Sequence, residues 1–390
     1  MSGNRKFLED IAEITKLREG SEGVFHVFRA IFRKGPISSK ELAQEAHLPV
    51  PLAVAVRNEL QRRGLVRKTP KGTILSSEGM RIGKYDFGFA AKAEIRCSSC
   101  DGAGIVLSDD FKEEFQRFKE MCEKRPPPRT ELDQARATPF TAFSRALMML
   151  EDGNLDGKRL CFLGDGDLVS LAVNLIGNPQ EVLVIDIDED LLKYMSKTAN
   201  KQNIRVNFQS WDLRNPIPAS FHSRFDVFST DPPYSLQGSL LFLFRGLQLL
   251  KRSIGASGYL SLRLTDFEEL ARLQEFLISS GCVFRAIKPN FNQYIGAEIL
   301  GNRSDYFLIE TGPKFRNIIL DEAIMDFKSS IYTGVLRSTI RTYKCVDCGA
   351  IFHVGRNQTY QTIEALKNVG CTASTCKSTS FRLIERKKAS

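Results

Sequence analysis

From Leu160 onward, short apolar segments alternate with longer helical segments, and this alternation limits the possible folds more than any other feature of the chain. Strands that alternate with helices form a parallel, doubly wound sheet with right-handed crossovers. Two further apolar segments, 284–287 and 305–309, are joined by a long turn and predict an antiparallel pair at the sheet edge. We therefore expect an α/β fold with a Rossmann-like core. The candidate parallel strands are 160–163, 181–185, 206–208, 225–229 and 259–262.

The first of these strands leads directly into a glycine-rich acidic turn, Gly164-Asp-Gly-Asp167. In a doubly wound sheet, ligands bind beyond the carboxyl ends of the strands, and glycine lets the backbone approach a ligand closely. Asp186 follows at the end of the second strand, with Asp188 beside it. An acid at this position is expected to bind ribose hydroxyls.

The antiparallel end of the sheet resembles the class I methyltransferase fold, which binds an S-adenosyl sulfonium cofactor. That fold usually places an acid against the adenine amino group after the third strand, and Asp212 follows the third strand here. The resemblance implies an S-adenosyl site along the carboxyl ends of the strands. The expected cofactor-binding residues are Gly164, Asp165, Gly166, Asp186, Asp188 and Asp212.

The charge of the first turn distinguishes between two forms of that cofactor. S-Adenosylmethionine carries a carboxylate close to this turn, and Asp165 and Asp167 would repel it. Two unit charges a few ångströms apart cost on the order of 4 kcal/mol at a surface-like dielectric. Decarboxylated S-adenosylmethionine has no carboxylate, and its aminopropyl ammonium would be attracted. The turn therefore favours aminopropyl transfer over methyl transfer.

The fourth strand ends in Asp231, Pro232, Pro233 and Tyr234. Two prolines remove two backbone donors and fix the turn, so that carbonyl groups and the Asp231 carboxylate face one point, an arrangement that holds an amine. Transferases acting on adenine or guanine amino groups use such a turn, with the aromatic ring stacked on the base, and an aliphatic polyamine fits equally well. Asp167 or Asp231 is placed to orient the amine and accept its proton. We predict these two acids as catalytic residues and residues 231–234 as the substrate site.

The sequence around these turns resembles the branched-chain polyamine synthases, the N4-bis(aminopropyl)spermidine synthases of thermophilic archaea and bacteria. The resemblance covers about Leu17 to Gly312 and implies a winged-helix domain followed by a Rossmann-like catalytic domain. It also implies successive aminopropyl transfers from decarboxylated S-adenosylmethionine to the secondary amine of spermidine. The stretches that carry the resemblance are Leu132-Asp-Gln134, Thr138, Arg145, 157–170, 184–190 and 225–233.

Two positions depart from that family. Its acidic loop reads Gly-Asp-Asp-Asp and ends in the catalytic Asp, a role that would fall on Asp167, but Gly166 replaces the middle Asp here. Tyr234 stands where family members commonly have an acid. Both changes remove negative charge from the amine pocket. The alternative is a methyltransferase that uses S-adenosylmethionine on an exocyclic amine of DNA or RNA, and a third class is a non-catalytic regulator that senses S-adenosyl ligands or polyamines.

Residues 1–84 contain three helical patterns followed by two short strands around a basic turn, an order that resembles a winged helix-turn-helix. The third helix opens with the apolar run 53–56, where a DNA reader would need polar side chains. Dimerisation or substrate gating is therefore favoured, with nucleic acid as the alternative partner, and we expect a homodimer. The bases that would face nucleic acid are Arg57, Arg62, Arg63, Arg67, Lys68 and Lys71.

The rest of the chain divides into a connector over 85–137, the catalytic domain over 138–312, a helical linker over 313–340 and a metal-binding tail over 341–390. The connector contains the pair Cys97 and Cys100, for which sequence gives no second pair, and a proline run that acts as a stiff spacer.

The tail carries two close cysteine pairs with the spacing of a zinc ribbon, and four sulfurs leave no open position, so we expect structural zinc. No apolar run reaches membrane-spanning length and the first residues lack a signal-peptide core, which indicates a cytoplasmic protein. The net charge of +9 and the basic tail favour a polyanion such as nucleic acid as a further partner. The expected zinc ligands are Cys345, Cys348, Cys371 and Cys376.

Overall fold

The computed structural model describes residues 6–90, 95–100, 104–263, 266–295, 302–318, 320, 331–332, 339–355, 358–360, 363–373 and 376–388. The amino-terminal module has a core of apolar side chains that includes an aromatic cluster of Phe25, Phe28 and Phe87. Ser38 begins the third helix with a capping box, because its hydroxyl accepts from Glu41 N and its own N donates to the Glu41 carboxylate. The elements are α1 (Lys6–Ile14), α2 (Gly20–Lys34), α3 (Ser39–Glu45), α4 (Val50–Arg62), β1 (Val66–Thr69), β2 (Gly72–Leu75) and α5 (Ser77–Arg81).

The helices and the antiparallel hairpin expected in this module are present. Arg57, one of the bases expected to face nucleic acid, is only 7% exposed. Its guanidinium donates to Ser39 Oγ at 2.9 Å and to Asn58 Oδ1 at 2.8 Å. Arg57 is therefore engaged inside the module and does not face a ligand.

In the described residues of the connector there is one α-helix, α6 (Lys112–Glu123), and one short strand, β3 (Arg136–Ala137). The helix packs through Phe118 against Phe143, with ring centroids 5.7 Å apart. The strand pairs with the edge of the central sheet. The proline run lies between these two elements, so the chain on both sides of the run is fixed to the catalytic domain.

The central sheet has eight strands, in the order β3-β9-β10-β8-β7-β4-β5-β6. Strands β4 to β8 pair in parallel, whereas β10 is antiparallel to both β8 and β9. The predicted α/β fold with an antiparallel pair at one edge is confirmed. The elements are α7 (Pro139–Glu151), β4 (Arg159–Leu163), α8 (Val169–Ile176), β5 (Glu181–Asp186), α9 (Glu189–Lys201), β6 (Asn207–Ser210), β7 (Val227–Thr230), α10 (Leu236–Leu249), β8 (Ser257–Leu262), α11 (Phe267–Ser279), β9 (Cys282–Ile295) and β10 (Arg303–Thr311).

The tail forms a separate antiparallel sheet with the order β12-β11-β13 and its own small core around Tyr343, Val354 and Leu366. Most of the expected helical linker over 313–340 lies outside the described residues, and its first described turn is a 3-10 helix, Pro313–Asn317. No described helix combines the length and the apolar composition needed to cross a bilayer. The elements are β11 (Thr339–Cys345), β12 (Ile351–Val354), α12 (Ile363–Val369) and β13 (Phe381–Lys388).

The amino-terminal module holds the carboxyl end of α7. Arg33 Nη1 lies 2.8 Å from Glu151 Oε2, and Arg29 donates to the carbonyl oxygens of Leu150 and Glu151. Arg96 of the connector reaches the other Glu151 oxygen at 2.7 Å. Cations at a helix carboxyl end are favourable because they compensate its unpaired carbonyl groups. Helix α7 is thus fixed at this end by two modules.

Candidate active site

The predicted site residues lie at the carboxyl ends of β4, β5, β6 and β7, on one edge of the sheet. Gly164 directly follows β4 and has a φ of +67°, a conformation that favours glycine. Gly166 is different, because a Cβ built there meets no atom within 4 Å. The space around Gly166 would therefore accommodate a side chain.

Asp165 is directed into the protein. Its carboxylate accepts hydrogen bonds from Val169 N at 2.8 Å and Ser170 N at 3.0 Å, which caps the start of α8. Asp165 is 3% exposed, and burial raises its pKa to about 7. The sequence argument assigned Asp165 a charge facing the cofactor tail, but this charge is bound to the helix amides instead.

Asp167 is also compensated by protein groups. Its Oδ1 accepts from Ala137 N at 2.7 Å and lies 3.5 Å from Arg125 Nη1, and its Oδ2 accepts from Arg145 Nη1 at 2.9 Å. The side chain is 6% exposed. With two arginines against one carboxylate, Asp167 does not give the loop a net negative charge. The expected electrostatic selection by Asp165 and Asp167 is therefore not supported by their geometry.

Arg145 joins the two predicted catalytic acids. Besides Asp167, its guanidinium contacts Asp231 Oδ2 at 2.9 Å through Nη2, and Nε donates to Asn292 Oδ1 at 2.8 Å. Burial alone would lower the pKa of Arg145, but the surrounding Tyr294, Asp231 and Asp167 raise it well above its ordinary value. Arg145 therefore remains a fixed cation between the two carboxylates.

Two tyrosines complete this arrangement. The Tyr234 hydroxyl lies 3.0 Å from Asp231 Oδ1, and the Tyr294 hydroxyl lies 2.7 Å from Asp231 Oδ2. The two hydroxyl oxygens are 2.7 Å apart. Burial raises the pKa of both tyrosines well above the ordinary value, so both stay protonated. Burial also raises the pKa of Asp231, while Arg145 opposes this increase.

The adjacent turn is fixed by its prolines and by the next helix. Pro232 and Pro233 are buried, and the Pro233 carbonyl accepts a hydrogen bond from the Ser239 hydroxyl of α10 at 3.4 Å. The Tyr234 ring meets the Tyr294 ring edge-on, with centroids 6.4 Å apart. The hydroxyl contacts of Tyr234 hold its ring toward Asp231.

The three remaining predicted cofactor acids differ in their surroundings. Asp186 ends β5, is 7% exposed, and accepts from Asp188 N at 2.8 Å and from Asp165 N at 3.2 Å. Burial raises the pKa of Asp186 to about 6. Asp188 caps α9 and accepts from the side chain of Gln134 at 3.0 Å. Asp212 is paired with Arg214, whose hydrogen bonds lower the pKa of Asp212.

The connector lies against the same edge. Arg125 donates to the Gly166 carbonyl at 2.8 Å and to the Ala137 carbonyl at 3.2 Å. The proline run 126–128 and Gln134 border a cavity of about 20 Å³ whose other walls include Gly166 and Asp188. The predicted spacer therefore also covers the turn that is expected to bind the cofactor.

Comparison with known proteins agrees with the sequence resemblance. A sequence model described as the branched-chain polyamine synthase A C-terminal domain matches residues 113–315, more than half of the chain. The N(4)-bis(aminopropyl)spermidine synthase of Methanocaldococcus jannaschii is 33% identical over 63% of this chain and 71% of its own length. The chain belongs to the branched-chain polyamine synthase family.

Two further relatives extend the comparison. An uncharacterized protein, also from Methanocaldococcus jannaschii, is 35% identical over 98% of this chain and 93% of its own length. A crystal structure of a branched-chain polyamine synthase mutein from Thermus thermophilus, in complex with N4-aminopropylspermidine and 5′-methylthioadenosine, has 24% identity and a TM-score of 0.53. It covers 85% of this chain and 99% of that chain. The likeness confirms the shared fold.

Several members of the polar cluster were not predicted as site residues. Arg145 was part of the family resemblance but had no role, and Asn292 and Tyr294 were not considered. Both come from β9, which continues to Ile295, whereas the sequence indicated a strand ending at residue 287. The polar residues between Asn290 and Tyr294 could have indicated this part of the site. If the strand continues through them, Asn292 and Tyr294 lie two positions apart and face the same side of the sheet.

The four predicted metal ligands converge in the tail. The sulfur atoms of Cys345, Cys348, Cys371 and Cys376 all lie within 4.8 Å of one another. This geometry can hold one metal ion with four thiolates, the donor set typical of structural zinc. Within the described part of the chain, no further group of three or more metal-binding side chains was found, so Cys97 and Cys100 remain a pair.

Proposed function

We propose that this protein transfers the aminopropyl group of decarboxylated S-adenosylmethionine to the secondary amine of a polyamine, with spermidine as the first acceptor to test. The observation that carries the proposal is the convergence of Asp167 and Asp231 on Arg145 in a chain of the branched-chain polyamine synthase family. The curated relative that bears the name N(4)-bis(aminopropyl)spermidine synthase supports the reaction class.

The chemistry needs a neutral amine and an acceptor for one proton. The lone pair of the amine attacks the propyl carbon bonded to the sulfonium, and the carbon–sulfur bond breaks with its electron pair going to sulfur. The products are 5′-methylthioadenosine and a tertiary ammonium, whose proton must then leave before a further transfer. Asp231 and Asp167 are the proposed proton acceptors, and fixed carboxylates are effective in this role.

For the co-substrate we propose the edge formed by Gly164, Asp186, Asp188 and Asp212. Asp186 and Asp188 lie next to the glycine turn at the end of β5, where an acid binds ribose in doubly wound sheets. Asp212 would have to exchange its contact with Arg214 for the adenine amino group. Because Asp165 and Asp167 are compensated by protein groups, the preference for the decarboxylated form rests on family membership rather than on a net negative loop.

The direct test is incubation of the purified full chain with spermidine and either decarboxylated or intact S-adenosylmethionine. We expect mass spectrometry to show addition of one or two aminopropyl groups with the decarboxylated form and no product with the intact form. Methylation of a DNA or RNA amine by intact S-adenosylmethionine, without aminopropyl transfer, would instead identify the alternative activity. The Asp231→Asn variant should abolish either product.

We propose that the amino-terminal module is a winged helix used for homodimerisation rather than for reading DNA. Its order of helices and hairpin fits that fold, while Arg57 is buried against Ser39 and Asn58. Light scattering of the full chain should give twice the chain mass. A monomer that remains active would contradict this proposal.

We propose that the tail is a zinc ribbon that contacts a polyanion, nucleic acid being the partner to test. The four sulfurs support the metal, and β11 and β13 place Lys344 directly opposite Arg382 on exposed positions. Like charges in such a cross-strand pair repel each other, and a bound phosphate would relieve the repulsion. A gel-shift titration at rising salt should show binding that weakens in the Lys344→Ala variant.

A further inference from the structure

Arg145 occupies an unusual position for a residue of a cation-binding enzyme. It lies in the middle of α7, its side chain is 3% exposed, and it contacts both Asp167 and Asp231 at 2.9 Å. The remaining donors are directed at Asn292 Oδ1 at 2.8 Å and at the Tyr294 hydroxyl at 3.0 Å. Four polar side chains from three different strands or strand ends therefore share one guanidinium.

The Asp231 carboxylate depends on this contact for its charge, because burial raises its pKa and Arg145 opposes this increase. Buried carboxylates that face each other without a cation cannot both ionise, because desolvation and mutual repulsion both favour the protonated form. The charged and titratable groups that face the pair come from the connector, α7, β9, β10 and the turn after β7. Further groups come from α6, β3 and the turn after β4. Together they are Cys122, Arg125, Arg136, Arg145, Asp165, Tyr234, Tyr294 and Tyr306. Tyr234 and Tyr294 are neutral donors, and the guanidinium of Arg125 contacts Asp167.

We propose that Arg145 is a positioning residue that holds the Asp167 and Asp231 carboxylates against one guanidinium and keeps Asp231 ionised, and that it makes the acceptor nitrogen bind as the free amine. This inference deepens the proposed aminopropyl transfer and rests on it. A second cation beside the fixed guanidinium is disfavoured, whereas an uncharged amine is not. The nitrogen lone pair is then free for attack, and the proton released after the carbon–sulfur bond breaks passes to a carboxylate that is already ionised.

The arrangement also gives a physical reason for an arginine beside the proposed amine site of this chain. Carboxylates alone would attract a protonated polyamine but would leave its lone pair blocked by the proton. The two carboxylates together with Arg125 and Arg145 carry no net charge, so they can accept N–H hydrogen bonds from a neutral amine without attracting a further cation.

The test compares Arg145→Gln and Arg145→Lys with the wild type in two measurements. In the first, kcat/KM is followed against pH with decarboxylated S-adenosylmethionine and spermidine. Arg145→Gln should lose at least about 100-fold in kcat/KM near neutral pH, and its acidic limb should move up by about one pH unit or more, because Asp231 now ionises at higher pH. Arg145→Lys, which keeps the charge but cannot contact both acids in one plane, should keep the acidic limb while losing turnover. The matched control is Arg224→Gln. Arg224 is half-exposed and pairs with Glu181 at the amino ends of the strands, so this substitution should leave the pH dependence of kcat/KM unchanged.

The second measurement does not depend on any substrate. The Tm deficit of Arg145→Gln relative to wild type should be larger at about pH 8 than at about pH 5.5, because acid protonates the Asp231 carboxylate that has lost its cation. The double variant Arg145→Gln/Asp231→Asn should be more stable than Arg145→Gln alone at the higher pH, since it removes one of the two repelling charges. If Arg145→Gln does not fold, the Tm of Arg145→Lys is compared with that of Arg145→Lys/Asp231→Asn. Here the single variant should be the more stable one, because Lys still pairs with Asp231.

Equal Tm deficits of Arg145→Gln at both pH values, together with additive losses in the double variant, would overturn the role assigned to Arg145. So would an acidic limb that stays in place in an active Arg145→Gln enzyme. A wild-type protein that transfers no aminopropyl group would instead overturn the proposed function, while the Tm comparison would still report whether Arg145 sets the charge of the acid pair.

Discussion

The Asp167→Asn substitution separates the catalytic and the structural role of this carboxylate. Asn keeps the shape of Asp but replaces one acceptor oxygen with an amide group that would face Ala137 N or an arginine. Breaking a buried ion pair from one side costs about 3–5 kcal/mol. We expect the lower end, about 3 kcal/mol, because Arg145 keeps its contact with Asp231. Loss of a positioned base should lower kcat by about 100-fold to 10,000-fold.

The assay is urea denaturation for stability and product formation by mass spectrometry for turnover, both under conditions where the variant is folded. Asp226→Asn is the control, since Asp226 is also buried, accepts from Arg159 N at 2.8 Å and pairs with Lys251, but lies at the opposite end of β7. The control should lose comparable stability and keep turnover within about threefold, since its loss is structural alone. Near-normal turnover of Asp167→Asn, or an equal loss in Asp226→Asn, would refute the assignment of Asp167 to the chemistry.

Four further predictions follow from the geometry. Tyr234→Phe removes a hydrogen bond to Asp231, so the pKa of this acid should rise and the acidic limb of kcat/KM should move to higher pH; an unchanged limb would show that the hydroxyl does not act on Asp231. Gly166→Asp introduces a side chain into open space, and we expect stability within about 0.5 kcal/mol of wild type and a lower KM for spermidine, whereas a marked loss of stability would contradict the geometry. Metal analysis should find one zinc per chain, which Cys348→Ser loses without loss of transferase activity; an inactive Cys348→Ser enzyme would place the tail in catalysis. Arg33→Ala should lower kcat about tenfold with little change in KM, because it removes one of the two arginines that hold Glu151 at the end of α7; unchanged kcat would show that α7 does not need this contact.

The sequence predicted the sheet and the positions of the acids because both follow from local patterns. Alternating apolar segments identify parallel strands, and the residues that follow such strands lie on one edge regardless of detailed packing. Asp167 and Asp231 could therefore be brought together from sequence alone, although 64 positions separate them. The sulfur cluster of the tail was predictable for a similar reason, since each cysteine pair is close in sequence.

The charge state of the site could not be predicted in the same way. Asp165 and Asp167 are close in sequence, and both were expected to face the cofactor tail. In the structure the Asp165 carboxylate caps α8, whereas the Asp167 carboxylate contacts Arg145. Arg145 lies on the helix before β4, and its side chain reaches the acids only after the whole domain is assembled. The contribution of Tyr294 depends on the length of an edge strand, which is set by its pairing with β3 and β10 rather than by its own apolar pattern.

Helix α7 connects the amino-terminal module with the acids of the candidate active site. Arg145 is less than two turns from Glu151, the residue that Arg33 and Arg96 hold. A rigid helix transmits a small rotation at one end to every side chain along it. Substitutions in the first hundred residues can therefore tune an amine-transfer rate without touching either reactant, and a catalytic domain expressed by itself would lack part of what keeps its own acids aligned.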